Sequence, residues 1–322
     1  MINKKILEAS FEELEKVAGG IANIERYAIN DGNGVRTTVF FKGCYLRCKW
    51  CSNPETQIFT PEMSFFSDKC IGCQNCVRLC KYHALDKGLI ADRNICATCY
   101  ERDEPFVCTK QCYPKCRIIT GKSYTVGTIY DQVKKDYAFY ESSGGGVTLS
   151  GGEPMAQPNL AYALLKTLTN KWIDTAIETC GFAEKEDYEY TIPYINTVFI
   201  DIKNMDSRQH KIWTGQGNEK ILSNILRISE LTKEYGQKLF IRVPIIPGFN
   251  DSNKNIEETV DFVTKLDNVT GMELLPYHKL GRGKYYSLGR KYFMEDTVSP
   301  SDARMQELNE IIAKHNIPIY KF

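Results

Sequence analysis

Thirteen cysteines, all but Cys180 lying between residues 44 and 116, constrain this chain more than any other feature. Thiols at such density are paired or bound to metal. An odd count disfavours complete disulfide pairing. The opening segment "MINKKILEASFEELEKVAGG" lacks the apolar core and cleavage site of an export signal, so a cytoplasmic, reducing compartment is expected. Clustered cysteines there serve metal better than disulfides. No apolar run approaches the roughly 18–20 residues that span a bilayer. A formal net charge of +1 provides no field that would favour nucleic acid or a membrane surface.

The cysteines fall into three groups. In "KGCYLRCKWCSNPE", Cys44, Cys48 and Cys51 follow a strand at C-x3-C-x2-C spacing. Three thiolates can hold three irons of a [4Fe–4S] cluster and leave the fourth open, as a catalytic metal site requires. Trp50 is placed to cover such a cluster. In "CIGCQNCVRLC", Cys70, Cys73, Cys76 and Cys80 have the bacterial ferredoxin spacing C-x2-C-x2-C-x3-C, with Lys81 where proline usually follows. The third group, "CATCYERDEPFVCTKQCYPKC", begins and ends like a second such run, but "YERDEPFV" separates Cys99 from Cys108. In two-cluster ferredoxins the fourth cysteine of each run ligates the other cluster. That rule assigns Cys70, Cys73, Cys76 and Cys112 to one cluster, and Cys96, Cys99, Cys108 and Cys80 to another. Cys116 is either surplus or a substitute for Cys112. Structural zinc is the alternative for the first two groups, and one cluster plus zinc or loose thiols is the alternative for the third.

Outside the cysteine-rich stretch the pattern alternates short apolar strands with amphipathic helices. Strands are expected at 35–43, 146–150, 174–179, 197–203, 238–245 and 271–277. Helices are expected near 157–172, 184–192, 219–235, 252–266 and 301–314, and an N-terminal one over Lys4–Val17, stopped by Gly19-Gly20. Six strands in β/α alternation imply an α/β fold, a parallel sheet or partial (β/α)6 barrel. The expected division is an N-terminal helical extension (1–20), a barrel (21–56 and 121–322) and a ferredoxin-like insert (57–120). The insert has little apolar periodicity, so metal must supply part of its stability.

In such barrels the reactive groups sit at the carboxyl ends of the strands. Just past each expected strand lie the Cys44 group, then Gly151-Gly152-Glu153, Glu178, the pair Asp201 and Lys203, and His278. Arg242 lies within the strand 238–245. Each alone also reads as a turn, an ion-pair partner or a satisfied core residue. The shared placement is what makes a site.

Together, "DGNGVRTTVFFKGCYLRCKWCSNPE", "YESSGGGVTLSGGEPMAQP", "TAIETCG", "FIDIKNMD", "IRVPIIPGFND" and "LLPYHKLGRGKYYSLGRKY" resemble the glycyl radical enzyme activating enzymes of the radical S-adenosylmethionine (SAM) superfamily. The resemblance runs from Ile24 to the C-terminus, with Asn33 where the family usually has proline. It implies an anaerobic oxidoreductase that cleaves SAM reductively and takes hydrogen from a glycine Cα of a partner glycyl radical enzyme. It also implies three [4Fe–4S] clusters and a flavodoxin or ferredoxin as electron donor. The SAM contacts it implies are Trp50, Cys51, Ser52, Gly151, Gly152, Glu153, Glu178, Asp201, Ile202, Lys203, Arg242 and His278. The carboxylates among them could also hold a monovalent cation. The competing readings are a radical SAM enzyme acting on a small molecule and a non-catalytic iron–sulfur electron carrier.

Overall fold

The computed structural model describes residues 1–85 and 89–322; residues 86–88 of the expected insert lie outside the described residues. Ten strands form two sheets. They are β1 (Ala18–Ala28), β2 (Arg36–Phe41), β3 (Glu62–Phe65), β4 (Arg117–Thr120), β5 (Lys122–Thr125), β6 (Gly146–Gly151), β7 (Asp174–Thr179), β8 (Thr197–Asp201), β9 (Lys238–Ile245) and β10 (Gly271–Pro276). The larger sheet has the order β10-β9-β8-β7-β6-β2-β1-β5. Its run from β2 to β10 is parallel throughout. These are the strands expected from the apolar runs, and the helices between them pack outside. A parallel strand covered by helices is buried along its length, which is why its sequence reads as continuous apolar residues.

The opposite edge departs from the expectation. β1 and β5 pair antiparallel beyond β2 and make the sheet eight-stranded. Gly19 and Gly20, read as a helix stop, lie inside β1. Here they permit a close approach: a Cβ on Gly19 would meet Gln157 Oε1 at 2.4 Å. The Gln157 amide accepts from Gly20 N (2.8 Å) and donates to the carbonyls of Gly20 and Lys42 (2.7 Å each), joining β1 to the end of β2. The single N-terminal helix is also corrected. Two short helices, Lys4–Leu7 and Phe11–Leu14, are separated where Ser10 starts a capping box with Glu13. They pack onto the main core, where Leu14 is fully buried and Ile2 nearly so.

The cysteine-rich segment leaves after β2 and returns before β5. β3 and β4 pair antiparallel and bring its two ends together. Beyond them stand only short helices, including Asn75–Leu79, Arg93–Ala97 and Val107–Lys110, around a small apolar cluster of Met63, Leu85, Ala91, Phe106 and Cys108. The barrel floor is closed by Phe199 and Phe240, stacked with centroids 5.4 Å apart, and by Phe322 edge-on to both.

Truncating Leu14 to alanine removes a fully buried side chain and should cost about 2–5 kcal/mol. Denaturant unfolding under anaerobic conditions should show this as a lower midpoint at unchanged slope; a packing-free extension would show no change.

Candidate active site and metal centres

A cavity of about 270 Å³ opens at the carboxyl ends of the parallel strands. It is lined by Cys44, Cys48 and Cys51, by Trp50 and Ser52, by Gly151 and Gly152, and by Glu178, Asp201, Lys203, Arg242 and His278. Two residues expected here stand elsewhere. Ile202 belongs to the apolar core. Glu153 is fully buried and turned inward. Its carboxylate accepts from Met155 N (3.0 Å), Thr179 Oγ1 (2.8 Å) and Cys180 N (2.7 Å), so it ties the β6 loop to the β7 loop. Burial pushes its carboxyl upward, and these donors pull it back.

The register explains how the glycines reach the cysteine loop. Phe41 pairs with Gly151 across β2 and β6. Gly152 N donates to Phe41 O at 3.0 Å, and a Cβ on Gly152 would meet Gly43 O at 2.3 Å. Any side chain there would push the two strand ends apart.

The triad loop is held from the other side by the helix Ser207–Thr214, which the sequence reading missed. Its last carbonyls accept from the loop: Arg47 N to Thr214 O at 2.6 Å, and Lys49 N to Trp213 O at 3.1 Å. Trp213 stacks on Phe249 at 5.0 Å, and Trp50 packs against Phe249 at 5.0 Å, giving the cavity an aromatic flank. The Asp206 N-cap and the Gly215 C-cap were the legible signals for this helix.

Cys180, which stood apart in sequence, sits against Cys44 and Leu46. Its hydrogen bond lowers the Cys44 thiol, and the same bond with burial holds Cys180 well above the usual range. Leu46 N also donates to Cys44 Sγ at 3.4 Å. Both contacts favour a thiolate at Cys44. Burial instead pushes the Cys51 thiol up to about 11 and the Cys48 thiol higher still. Two buried thiols that resist ionisation need a cation to become thiolates.

Charge in the cavity is paired. Arg242 donates to Glu178 (2.5 Å) and, on its other side, to Glu273 (2.8 Å), and lies 3.9 Å over the Phe199 ring. Ser150 Oγ donates to the second oxygen of Glu178 at 2.6 Å. Burial pushes the Glu178 carboxyl up, and Arg242 counters it. Asp201 pairs with Lys203 at 2.5 Å. Burial disfavours the Lys203 ammonium, yet Asp201 and the nearby thiols hold its pKa above the usual value. Of the groups that line the cavity, Glu178 and Asp201 are thus matched by Arg242 and Lys203, while Glu273 holds Arg242 from outside the lining.

The other cysteines form two pockets. One is lined by Cys80, Cys96, Cys99 and Cys108, with Met63, Leu85, Ala91 and Phe106. Phe106 N donates to Cys99 Sγ at 3.3 Å. The second is lined by Cys70, Cys73, Cys76, Cys112 and Cys116. The sulfurs of Cys112 and Cys116 are 3.2 Å apart. Among the described residues no three Cys, His, Asp or Glu side chains converge as the ligands of a single metal ion do. A cubic cluster needs a different arrangement, with thiols spread around a cavity and bound to separate irons.

A family profile described as "Radical SAM superfamily" matches residues 93–263, and one described as "4Fe-4S binding domain" matches residues 63–86. An isethionate sulfite-lyase activating enzyme from Oleidesulfovibrio alaskensis is 38% identical over 312 residues, covering 95% of this chain and 97% of that one. A trans-4-hydroxy-L-proline dehydratase activating enzyme from Clostridioides difficile is 36% identical, covering 92% of this chain and 96% of that one. The chain belongs to the glycyl radical enzyme activating enzymes of the radical SAM superfamily. Among solved structures, a radical SAM methyltransferase from Sphaerobacter thermophilus shares the fold, with a TM-score of 0.52 at 14% identity, covering 88% of this chain and 65% of that one. The superfamily profile begins at residue 93, beyond the triad and within the cysteine-rich segment. The activating-enzyme relatives span both parts. No helix among the described residues is long and apolar enough to cross a membrane.

Replacing Arg242 with methionine leaves the buried Glu273 and the partly buried Glu178 without their cation, a loss of about 3–5 kcal/mol at neutral pH. In the variant the Glu178 carboxyl, which burial already pushes up, titrates above its unfolded value of about 4.3. Stability is then present below that value and lost as pH rises through the folded one. Unfolding at pH 5 and pH 8 should therefore show the larger deficit at pH 8.

Proposed function

We propose that the chain activates a glycyl radical enzyme, with Cys44, Cys48 and Cys51 holding a SAM-binding [4Fe–4S] cluster. The observation that carries this is the convergence of those three thiols with Glu178, Asp201, Lys203, Arg242 and His278 in one strand-end cavity. When bound, the cluster and SAM would supply one-electron cleavage of a carbon–sulfur bond and, through it, removal of hydrogen from a glycine Cα of the partner.

The chain's own residues bind, orient and shield. The bare backbone of Gly151 and Gly152 faces the methionyl amine of SAM. Lys203 and His278 take its carboxylate side, and Glu178 takes the ribose. Trp50 and Ser52 flank the adenine, and Trp213 and Phe249 shield the cavity behind Trp50. Glu153 acts through the loops it ties together. A monovalent cation would have to compete with Arg242 for Glu178 and with Lys203 for Asp201. A radical site must exclude water and other C–H groups, so the positioning residues matter more than any acid or base.

The remaining pockets hold two auxiliary clusters in this reading: Cys70, Cys73, Cys76 and Cys112 in one, Cys80, Cys96, Cys99 and Cys108 in the other. The donor is a low-potential one-electron carrier, flavodoxin or ferredoxin. The reconstituted chain should contain about twelve irons. Cys112→Ser should lose about four of them, while Cys116→Ser should keep all. Loss of a cluster from Cys116→Ser alone would make Cys116 the ligand.

The activity is tested by EPR. The reduced chain, mixed with SAM and its glycyl radical enzyme partner, should produce an organic radical on that partner. Cys48→Ala should abolish the signal. SAM cleavage without any partner radical would favour the small-molecule reading.

A further inference from the structure

The two auxiliary pockets are not equivalent in position. The Cys80, Cys96, Cys99 and Cys108 pocket faces the barrel. Cys96 lies in the helix Arg93–Ala97, and Arg93 donates to Met63 O (2.6 Å) and to Ser287 O (3.0 Å) of the segment following β10. That segment also touches the triad: a Cβ on Gly281 would meet Ser52 Cα at 2.9 Å and Cys51 O at 3.0 Å. Lys284 holds Asn53 and Glu55 at 2.7 Å each. One stretch of chain, 281–289, thus packs against both the last triad cysteine and the residue that positions Cys96.

The pocket of Cys70, Cys73, Cys76, Cys112 and Cys116 lies farther out. Cys73 is exposed. A shallow hollow of about 490 Å³ opens beside it, lined by Phe65, Ser67, Cys70, Gly72, Leu89 and Ile90, so Cys70 and Leu89 are shared by hollow and pocket. Ile71, Ile90 and Tyr113 around it are 68%, 76% and 92% exposed. Among the described residues, four exposed cations, Lys69, Arg78, Lys110 and Lys115, lie within two positions of its cysteines along the chain, against one exposed carboxylate, Asp68. The exposed carboxylates Glu101, Asp103 and Glu104 fall instead beside the inner group, where Glu104 pairs with Lys81.

We propose that this apolar, basic-rimmed face around Cys70 and Cys73 is the docking surface for a small acidic electron-carrier protein. Apolar contact at the centre with opposite charge at the rim is the arrangement of a transient complex: charge steers the encounter, and a small interface lets it dissociate. The carrier would be oxidised by one electron, which a cluster held by the outer cysteines would accept beside the exposed Cys73. This rests on the reading that the outer cysteines hold a cluster.

The test uses the reconstituted holoenzyme and an acidic flavodoxin as probe. Binding of oxidised flavodoxin is measured by calorimetry at low and high salt. The triple variant K69E/K110E/K115E should bind at least about tenfold more weakly at low salt, and the difference should shrink at high salt, where surface charge is screened. The control variant E101K/D103K should bind like the parent. Iron content, cluster EPR and reduction by photoexcited deazaflavin, a donor that needs no docking, should be unchanged in the triple variant. Parent-like binding by the triple variant, or equal weakening by a variant of uncharged size match (K69Q/K110Q/K115Q) that persists at high salt, overturns the charge argument. Undetectable flavodoxin binding by the parent overturns the surface itself. Normal docking with no glycyl radical on the partner would instead defeat the proposed function and leave the surface standing.

Discussion

The ammonium of Lys42 is the point on which the assembly of this protein depends. It sits fully buried just past β2, one residue before the loop that carries Cys44. Its Nζ donates to Glu55 O at 2.6 Å and pairs with Glu62 at 3.4 Å. Its backbone joins β1, through Lys42 N to Gly20 O at 2.9 Å. Its side chain runs against Gly121, where a Cβ would meet Lys42 Cε at 3.0 Å. Four parts therefore meet on one side chain: the added edge of the sheet, the trailing arm of the triad, and both ends of the cysteine-rich segment. Burial lowers its pKa, and Glu62 opposes that. A buried charge of this kind holds its neighbours in place because any movement that strips a partner leaves it unpaired.

Glu62 carries the linkage onward. It also accepts from Arg290, which donates to Pro54 O at 2.6 Å. The segment after β10, which brings His278 to the cavity, is thereby fixed to the arm beyond Cys51 and to β3. The geometry of the cavity and the seating of the cysteine-rich segment are thus set by the same ion pairs. Below them, Arg242 lies over the Phe199 ring, and Phe199, Phe240 and Phe322 pack together beneath the cavity.

The parallel core was legible because each of its strands is a short apolar run bounded by turn residues. The strand-end residues were legible because a barrel of this kind delivers them to one rim. The N-terminal segment was misread for a physical reason. Gly19-Gly20 is a helix stop in isolation, but against Gln157 and Lys42 it is the only pair slender enough to form a strand. Ser10 and Glu13 offered a capping-box signal that the longer amphipathic pattern hid. Glu153 was placed in the cavity because it follows Gly152, yet its oxygens are taken by Met155, Thr179 and Cys180. Neither outcome could be read without knowing which loops lie side by side.

Sequence by itself carried the spacing of the thiols within each of the three groups, because that spacing is local to one run of the chain. It also determined the β/α alternation, because strand and helix periodicities are local. Only the tertiary structure decided that Cys180 touches Cys44, that the helix Ser207–Thr214 holds the triad loop, and that one auxiliary pocket faces the barrel while the other faces solvent. Those are relations between segments far apart in the chain. They follow from burial and charge pairing across strands, which no local pattern encodes.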